Sequence, residues 1–253
     1  MIKVRGVSKR YGGKKVVDNV TLDIAEGKIT SFIGPNGAGK STLMSMISRL
    51  IAKDEGEIII GGKEIGSWNS RELAQKISIL KQSNHINLRL TVRDLVAFGR
   101  FPYSQGKLTK EDQRHVDEAI HYMDLAPMQH KYLDELSGGQ KQRAFIAMVI
   151  AQNTDYVLLD EPLNNLDMKH SVQIMKVLRR LTDELGKTVV LVIHDLNFAS
   201  CYSDYIVALK NGVVVREGMK DEIIDPAVLR EVYDMDIPIE NIGGNRICVY
   251  FAG

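Results

Sequence analysis

The stretch of sequence that decides the fold lies near the N-terminus and consists of Gly34, Pro35, Asn36, Gly37, Ala38, Gly39, Lys40 and Ser41. This order fits the spacing G-x-x-x-x-G-K-[ST], in which a glycine-rich loop joins a strand to a helix. The β-branched run 28–33 precedes it, and an apolar stripe predicts a helix over 40–50 after it. The sequence therefore supplies the strand and the helix that a phosphate-binding loop needs on its two sides.

The chemistry of this segment, called the phosphate loop below (residues 34–41), suits an anion. Its glycines let backbone N–H groups turn inward, because a Cβ atom would block that approach, and the following helix directs its positive end to the same place. Lys40 adds a full charge for β- and γ-phosphates, and the Ser41 hydroxyl can ligate Mg²⁺, which prefers oxygen. The alternative is a glycine-rich turn that fits the spacing by chance, and the flanking strand and helix argue against it.

Carboxylates follow a second apolar run, residues 156–159. Strand ends in α/β sheets open onto the ligand crevice, so we expect Asp160 and Glu161 to face the phosphates. Asp160 would be the Mg²⁺ partner, through a water molecule, and Glu161 would orient the water that attacks the γ-phosphate. The alternative is a solvated acidic turn at the end of a strand.

Two further polar residues follow apolar runs in the same way. His194 comes after run 188–193, and Gln82 comes shortly after run 77–80. His194 could contact the γ-phosphate and the attacking water, although a single histidine is more often structural. The Gln82 amide could ligate Mg²⁺.

Composition excludes several classes of protein. The 253 residues carry 33 Lys and Arg against 32 Asp and Glu, so the chain has no global charge that would attract nucleic acid. The two cysteines cannot form a disulfide framework. Residues 1–6 lack the apolar core of a signal peptide, and the longest clean apolar run, 189–193, is far shorter than a membrane span. We therefore expect a cytoplasmic protein that meets any membrane through another chain.

The pattern along the chain predicts an α/β fold. Alternating apolar residues and turns predict a β-rich N-terminus, helical spacing dominates residues 84–150, and fully apolar runs then return, as parallel strands buried on both faces would require. A helix over 171–185 is closed by Gly186, just after its C-cap, and Asn211-Gly212 predicts a hairpin. The core is therefore expected to be doubly wound.

The string Leu136-Ser137-Gly138-Gly139-Gln140 decides the class. Ser137 can cap a helix, and Gly138 and Gly139 expose N–H groups at its positive end, which makes a second anion site. The residues alone leave a plain capped helix open. The string, however, resembles the signature motif of ATP-binding cassette (ABC) ATPases.

The resemblance to that family covers essentially residues 1–240 and implies the other roles. Tyr11 resembles the aromatic residue that stacks on adenine, Gln82 the Q-loop residue, and Asp160-Glu161 the Walker B pair with its catalytic Glu. Asp167, after Leu166, resembles the D-loop residue, His194 resembles the switch histidine, and Thr42 joins the nucleotide-binding residues. Leu163 departs from the family, which usually has Thr or a small residue there.

The family's architecture implies a P-loop NTPase (RecA-like) core with an N-terminal antiparallel β subdomain and an inserted α-helical subdomain. We expect residues 1–83 and 151–220 to form the core with its β subdomain, 84–150 the helical signature subdomain and 221–253 a C-terminal extension. In this family two cassettes close head to tail, and Ser137–Gln140 of one cap the ATP in the phosphate loop of the other. The resemblance therefore implies ATP and Mg²⁺ as ligands and a homodimer as the working form. An aromatic ring stacks on adenine or guanine, so the sequence does not distinguish ATP from GTP as the nucleotide.

Segment 91–103, with Gly99-Arg100-Phe101-Pro102-Tyr103, is similar to the ATPases of ferric siderophore, haem and cobalamin importers, and among them to the petrobactin importers of Bacillus. This implies an integral membrane permease as partner, indirectly an extracellular or periplasmic substrate-binding protein, and a peripheral position on the cytoplasmic face of the membrane. A soluble ABC ATPase that remodels a cytoplasmic assembly is the alternative. A nucleotide-gated clamp without turnover is a third reading, which the presence of Glu161 and His194 disfavours.

Overall fold

The computed structural model describes residues 1–82, 88–164 and 166–250. The strands are β1 (Ile2–Tyr11), β2 (Lys14–Ile24), β3 (Ile29–Ile33), β4 (Glu55–Ile60), β5 (Lys63–Glu64), β6 (Ile77–Leu80), β7 (Tyr156–Asp160), β8 (Thr188–Val192), β9 (Tyr205–Lys210), β10 (Val213–Met219), β11 (Ile239–Ile242) and β12 (Asn245–Cys248). The α-helices are α1 (Lys40–Ile47), α2 (Ser70–Lys76), α3 (Val92–Phe98), α4 (Phe101–Ser104), α5 (Lys110–Tyr122), α6 (Gly138–Ala151), α7 (Met168–Asp183), α8 (Leu196–Tyr202), α9 (Lys220–Ile223) and α10 (Pro226–Tyr233). Short 3₁₀ turns lie at Ile65–Ser67, Ala126–Met128 and Leu133–Glu135.

The chain divides into two compact units, and the first contains residues 1–68 and 188–253. It holds an antiparallel sheet in the order β2-β1-β4-β5 and a second set of strands in the order β10-β9-β3-β8. β3 pairs in parallel with both β8 and β9, and every residue of β3 and β8 is buried. The apolar run 188–193 therefore contains a buried parallel strand, as the sequence predicted. β3 leads directly into the phosphate loop.

The second unit contains residues 69–187. Its strands β6 and β7 are parallel, with Ile77 opposite Tyr156 and Leu80 opposite Leu159. Helices α3, α5 and α6 pack on one another. Thr91 and Thr109 cap the N-termini of α3 and α5 with capping boxes. In each box the threonine side chain accepts from the backbone N–H of the aspartate three residues later, and the aspartate side chain accepts from the backbone N–H of the threonine.

Two helices differ from their predicted bounds. α1 ends at Ile47 and not at residue 50, because Arg49 adopts a left-handed conformation and the Ser48 hydroxyl donates to the Met44 carbonyl. α7 begins at Met168, three residues before the predicted start, since the Asp167 side chain caps it. Gly186, predicted just after the C-cap, follows it by two residues, since the C-cap is Glu184.

The C-terminal segment contains more structure than the sequence pattern indicated. Within the described residues it forms α9, α10 and the hairpin β11–β12, whose turn has positive φ at Gly243 and Gly244. The glycine pair is the local signal that this hairpin carries. The predicted boundary at residues 83/84 and the last residues of the predicted extension, 251–253, lie outside the described residues. The three-part domain division stays a prediction. No helix among the described residues has the length and apolar content of a membrane span.

Candidate functional site

The phosphate loop requires glycine for steric reasons. Gly34 has φ of 138°, and a Cβ atom there would lie 2.0 Å from the Leu209 carbonyl oxygen. A Cβ at Gly39, where φ is 95°, would lie 2.6 Å from the Val16 carbonyl oxygen. Gly37 also has a positive φ, of 78°, but its Cβ position meets nothing within 4 Å. Gly34 and Gly39 therefore allow close backbone packing, and Gly37 leaves the centre of the loop open.

The N–H groups of this loop are available to an anion. Within the described part of the chain, those of Asn36, Gly37 and Gly39 have no hydrogen-bond partner, although Gly39 is buried. Ala38 N donates to the Pro35 carbonyl at 3.2 Å. Backbone donors are seldom left unpaired when buried, so the N–H of Gly39 in particular calls for an acceptor such as a phosphate oxygen, and the exposed N–H groups of Asn36 and Gly37 lie next to it in the loop.

Lys40 is the charge of the phosphate loop, and it is only 5% exposed. Its Nζ donates to the carbonyl oxygens of Gly34 at 2.7 Å and of Pro35 at 3.0 Å. The Lys40 ammonium is thus hydrogen-bonded to the same loop whose phosphate-binding charge it is expected to supply. Ser41 and Thr42, in the first turn of α1, are half-buried.

Tyr11 is the last residue of β1, and 50% of its surface is exposed. The Lys9 ammonium lies 5.6 Å from the centre of its ring. An exposed ring of this kind has the surface that stacking on a base requires.

Glu161 lies one residue beyond β7 and has a left-handed backbone, with φ of 52°. Its Oε2 accepts from Gln82 Nε2 at 2.8 Å and from Asn164 Nδ2 at 2.5 Å. The preceding Asp160 is the buried end of the strand, 7% exposed. Two amides therefore hold the Glu161 carboxylate in one orientation. Gln82 donates through its nitrogen, so Oε1 is the atom that would ligate a metal ion.

Ser137 caps α6, as the sequence predicted. Its Oγ accepts from Gln140 N at 3.3 Å, and Gln140 Oε1 accepts from Ser137 N at 3.0 Å. The N–H groups of Gly138 and Gly139 have no partner among the described residues. The helix thus presents two free donors at its positive end.

Asp167 and His194 lie in different surroundings. The Asp167 carboxylate caps α7 and accepts from His170 N and His170 Nδ1, each at 2.8 Å. Those two bonds hold the pKa of Asp167 below its ordinary value. His194 is exposed and lies two residues beyond the end of β8, directly before Asp195, the N-cap of α8.

Two residues that bear on the site were not singled out from the sequence. Asn164 contacts Glu161, and Gln142 Nε2 donates to the Pro162 carbonyl at 3.1 Å, which ties α6 to the loop after β7. The spacing from Glu161 to Asn164 is that of a tight turn, and Asn164 N donates to the Glu161 carbonyl at 3.3 Å. Turn spacing is therefore the signal that points to Asn164. Gln142 has no such local signal.

The donor set suits Mg²⁺ better than a softer metal. Ser41, Gln82 and Asp160 all offer oxygen, the ligand atom that Mg²⁺ prefers. Within residues 1–82, 88–164 and 166–250, no three His, Cys, Asp or Glu side chains form a metal-binding group. Taken one by one, these three side chains therefore have the chemistry that suits a hard ion.

Known proteins resemble this chain over most of its length. The family described as ABC transporter matches residues 17–164. Over 252 residues, covering all of both chains, the sequence is 68% identical to the petrobactin import ATP-binding protein YclP of Bacillus subtilis. It is 48% identical to the petrobactin import ATP-binding protein FatE of Bacillus anthracis, over 99% of this chain and all of that one.

A solved structure extends the likeness to the fold. It is a dimeric, post-hydrolysis state of an ATP-binding cassette bound to ADP and Pi, with a TM-score of 0.78 and 34% identity. The match covers 87% of this chain and 99% of that one. The predicted P-loop NTPase fold is confirmed by this likeness.

Proposed function

Because this chain belongs to the ABC transporter family and is an ABC ATPase, we propose that it hydrolyses ATP to drive import of a ferric siderophore, petrobactin or a related iron chelate. The observation that carries the proposal is the phosphate loop, where three N–H groups and Lys40 are arranged for a polyphosphate. The cargo is inferred from the two relatives, both of which are petrobactin import ATP-binding proteins.

The triphosphate is bound by loop residues 34–41 together with Thr42, and the base stacks on Tyr11. The unpaired N–H groups donate to phosphate oxygens, and Lys40 neutralises the charge of the β- and γ-phosphates. Ser41, Gln82 and Asp160 would hold Mg²⁺, which when bound supplies positive charge to the phosphates. The open space beside Gly37 and the half-exposed Tyr11 ring support this assignment.

Glu161 orients the attacking water, and His194 contacts the γ-phosphate. The amides of Gln82 and Asn164 support the role of Glu161, because they fix its carboxylate before nucleotide arrives. Positioning is the main contribution that a protein makes to phosphoryl transfer. A shift of Gln82 would remove one of the two amides that orient the Glu161 carboxylate, so the position of Gln82 would bear on catalysis.

Two copies of the chain close on two ATP molecules. Ser137, Gly138, Gly139 and Gln140 of one copy cap the triphosphate in the phosphate loop of the other, and Asp167 lies in the segment that faces the partner. The free N–H groups at the start of α6 support this capping role. The solved cassette with ADP and Pi is itself dimeric.

The importer is completed by other chains. An integral membrane permease binds the ATPase on the cytoplasmic face of the membrane, and an external substrate-binding protein delivers the iron chelate. The chain is then a peripheral membrane protein. ATP-driven closure of the dimer is a ligand-driven shift between two states, and the permease follows it.

Hydrolysis is tested with Glu161→Gln, compared with Glu240→Gln, which removes an exposed carboxylate on β11. Glu161→Gln should keep ATP affinity, lose about 100-fold or more in turnover and accumulate a dimer on gel filtration with ATP. Glu240→Gln should match the wild type. Normal turnover by Glu161→Gln would remove Glu161 from the mechanism.

Import is tested by expressing the tagged chain in its source cells and solubilising the membranes with detergent. A multi-span membrane protein should co-purify, and proteoliposomes holding that complex should take up iron-loaded petrobactin only with ATP. If the tagged chain instead brings down a soluble assembly and no membrane protein, it is the remodelling ATPase that the sequence left as the alternative.

A further inference from the structure

The first glycine of the phosphate loop makes a hydrogen bond that its sequence motif does not supply. Gly34 N donates to the hydroxyl oxygen of Tyr233 at 2.9 Å. Tyr233 is the last residue of α10 and lies 199 positions further along the chain. Both residues belong to the first compact unit. The phosphate loop is thus bonded directly to the C-terminal segment.

The backbone of Gly34 is held from three directions. Tyr233 accepts from its N–H, Lys40 Nζ donates to its carbonyl at 2.7 Å, and its Cα faces the Leu209 carbonyl so closely that a Cβ would lie 2.0 Å away. The two hydrogen bonds involve the peptide groups on either side of the Gly34 Cα, so a displacement of Gly34 would disturb its contact with the Lys40 ammonium as well. The loop has little freedom as long as all three contacts persist.

Tyr233 is itself fixed by an anchor on β9. Lys210 Nζ donates to the Glu231 carbonyl at 2.7 Å and to Asp234 Oδ1 at 2.7 Å, so it is hydrogen-bonded to the chain on both sides of Tyr233. Lys210 directly follows Leu209, the residue packed against Gly34. The same strand therefore sets the positions of the loop and of the tyrosine that bonds to it.

The hydroxyl of Tyr233 stays neutral over the working range of pH. Burial raises its pKa above the ordinary value, and the bond from Gly34 offsets this only in part. A neutral hydroxyl accepts one hydrogen bond without placing a negative charge beside the phosphate loop. This suits a residue that must hold the loop and still leave it positive for an anion.

We propose that Tyr233 is a positioning residue for nucleotide binding: its hydroxyl holds the Gly34 peptide so that Lys40 and the free N–H groups of the loop face the phosphates. The inference rests on the proposed nucleotide site. It assigns the C-terminal segment a part in ATP affinity, although none of that segment lies in a motif. The alternative is that Tyr233 only packs and stabilises the fold.

The test uses the full chain and Tyr233→Phe, which keeps the ring and removes the acceptor. Tyr205→Phe on β9 is the matched control, because the Tyr205 hydroxyl has no hydrogen-bond partner among the described residues. Calorimetry gives the Kd of ATP and of inorganic tripolyphosphate, which has no base and reports on the loop alone. Steady-state assays give KM and kcat, and thermal unfolding gives Tm.

Losing one hydrogen bond of ordinary net strength changes the population of the competent loop by a factor of roughly two to ten. Tyr233→Phe should therefore raise both Kd values and KM by about fivefold and change kcat by less than about twofold. Tyr205→Phe should leave all four unchanged. Asp234→Ala, at an exposed position, loosens the anchor and should raise the tripolyphosphate Kd about twofold.

Unchanged Kd values in folded Tyr233→Phe would overturn the inference, even with a lower Tm, since packing alone would then explain the contact. If Tyr233→Phe does not fold, an unchanged tripolyphosphate Kd in Asp234→Ala overturns it instead. A wild-type chain that binds neither ATP nor tripolyphosphate would overturn the proposed function itself. The two failures are therefore distinguishable.

Discussion

Arg100 and Asp112 form a buried ion pair in the second unit, and its removal should be costly. Arg100 Nε and Asp112 Oδ1 are 2.9 Å apart, and the two side chains are 5% and 4% exposed. Asp112 Oδ2 also accepts from the N–H and hydroxyl of Thr109 at the start of α5. Arg100 belongs to the segment that resembles siderophore importers. The perturbation is Asp112→Asn, which keeps the shape and removes the charge.

The magnitude follows from burial. The Arg100 guanidinium also donates to the carbonyls of Ala151 at 3.0 Å and Gln152 at 3.3 Å, and Tyr103 stacks on it, so it cannot easily turn to water. Removing one partner of a buried pair costs roughly 3–5 kcal/mol, because it leaves the other charge uncompensated. For a chain of this size that lowers Tm by roughly 6–20 °C.

Asp117→Asn is the control on the same helix. Asp117 Oδ1 lies 2.6 Å from Arg93 Nη1, a shorter distance than in the buried pair, but the Asp117 side chain is 60% exposed. Exposed pairs contribute about 0–1 kcal/mol, since water and salt screen them. Urea unfolding monitored by circular dichroism should therefore separate the two variants clearly.

The pH dependence adds a second measurement. Burial raises the pKa of Asp112, but the bonds from Thr109 and the charge of Arg100 outweigh it, so the pKa lies below its ordinary value. A carboxyl with a lowered folded pKa contributes stability that is complete above the unfolded value, about 3.9, and is lost as pH falls through the folded pKa. The gap between wild type and Asp112→Asn should stay constant from about pH 5 to 8 and narrow below about pH 4.

Equal destabilisation by Asp112→Asn and Asp117→Asn would refute this reasoning. It would mean that the buried guanidinium finds other partners at no net cost. A gap that widens in acid would refute the sign of the linkage.

Three further predictions concern other parts of the chain. Gly39→Ala should abolish ATP binding measured by calorimetry, because its Cβ would lie 2.6 Å from the Val16 carbonyl oxygen; retained affinity would show that the loop can move aside. Ser137→Arg should keep ATP affinity and lose turnover, because a large side chain at the start of α6 would block the proposed capping of the partner copy's triphosphate; normal ATPase activity would contradict that role. Burial raises the pKa of the Cys248 thiol to about 11, so a thiol reagent at about pH 8 should modify half-buried Cys201 slowly and Cys248 only after unfolding. Reaction of Cys248 in the native chain would show that β12 opens.

Local features of the chain were determined by the sequence alone. The phosphate loop, the capping serine of α6 and the apolar strands could be predicted because each depends on residues within a few positions of one another. The resemblance to ABC ATPases then implied roles for Glu161 and Gln82. It did not indicate that these two residues contact each other.

Only the tertiary structure decided the contacts between distant positions. Gln82 is 79 residues from Glu161, and Tyr233 is 199 residues from Gly34, yet each pair shares a hydrogen bond. The left-handed backbone at Glu161 and the early end of α1 likewise depend on their surroundings. Propensity and spacing act over one or two turns of chain, whereas such contacts arise when strands far apart in sequence pack side by side, which no local pattern records.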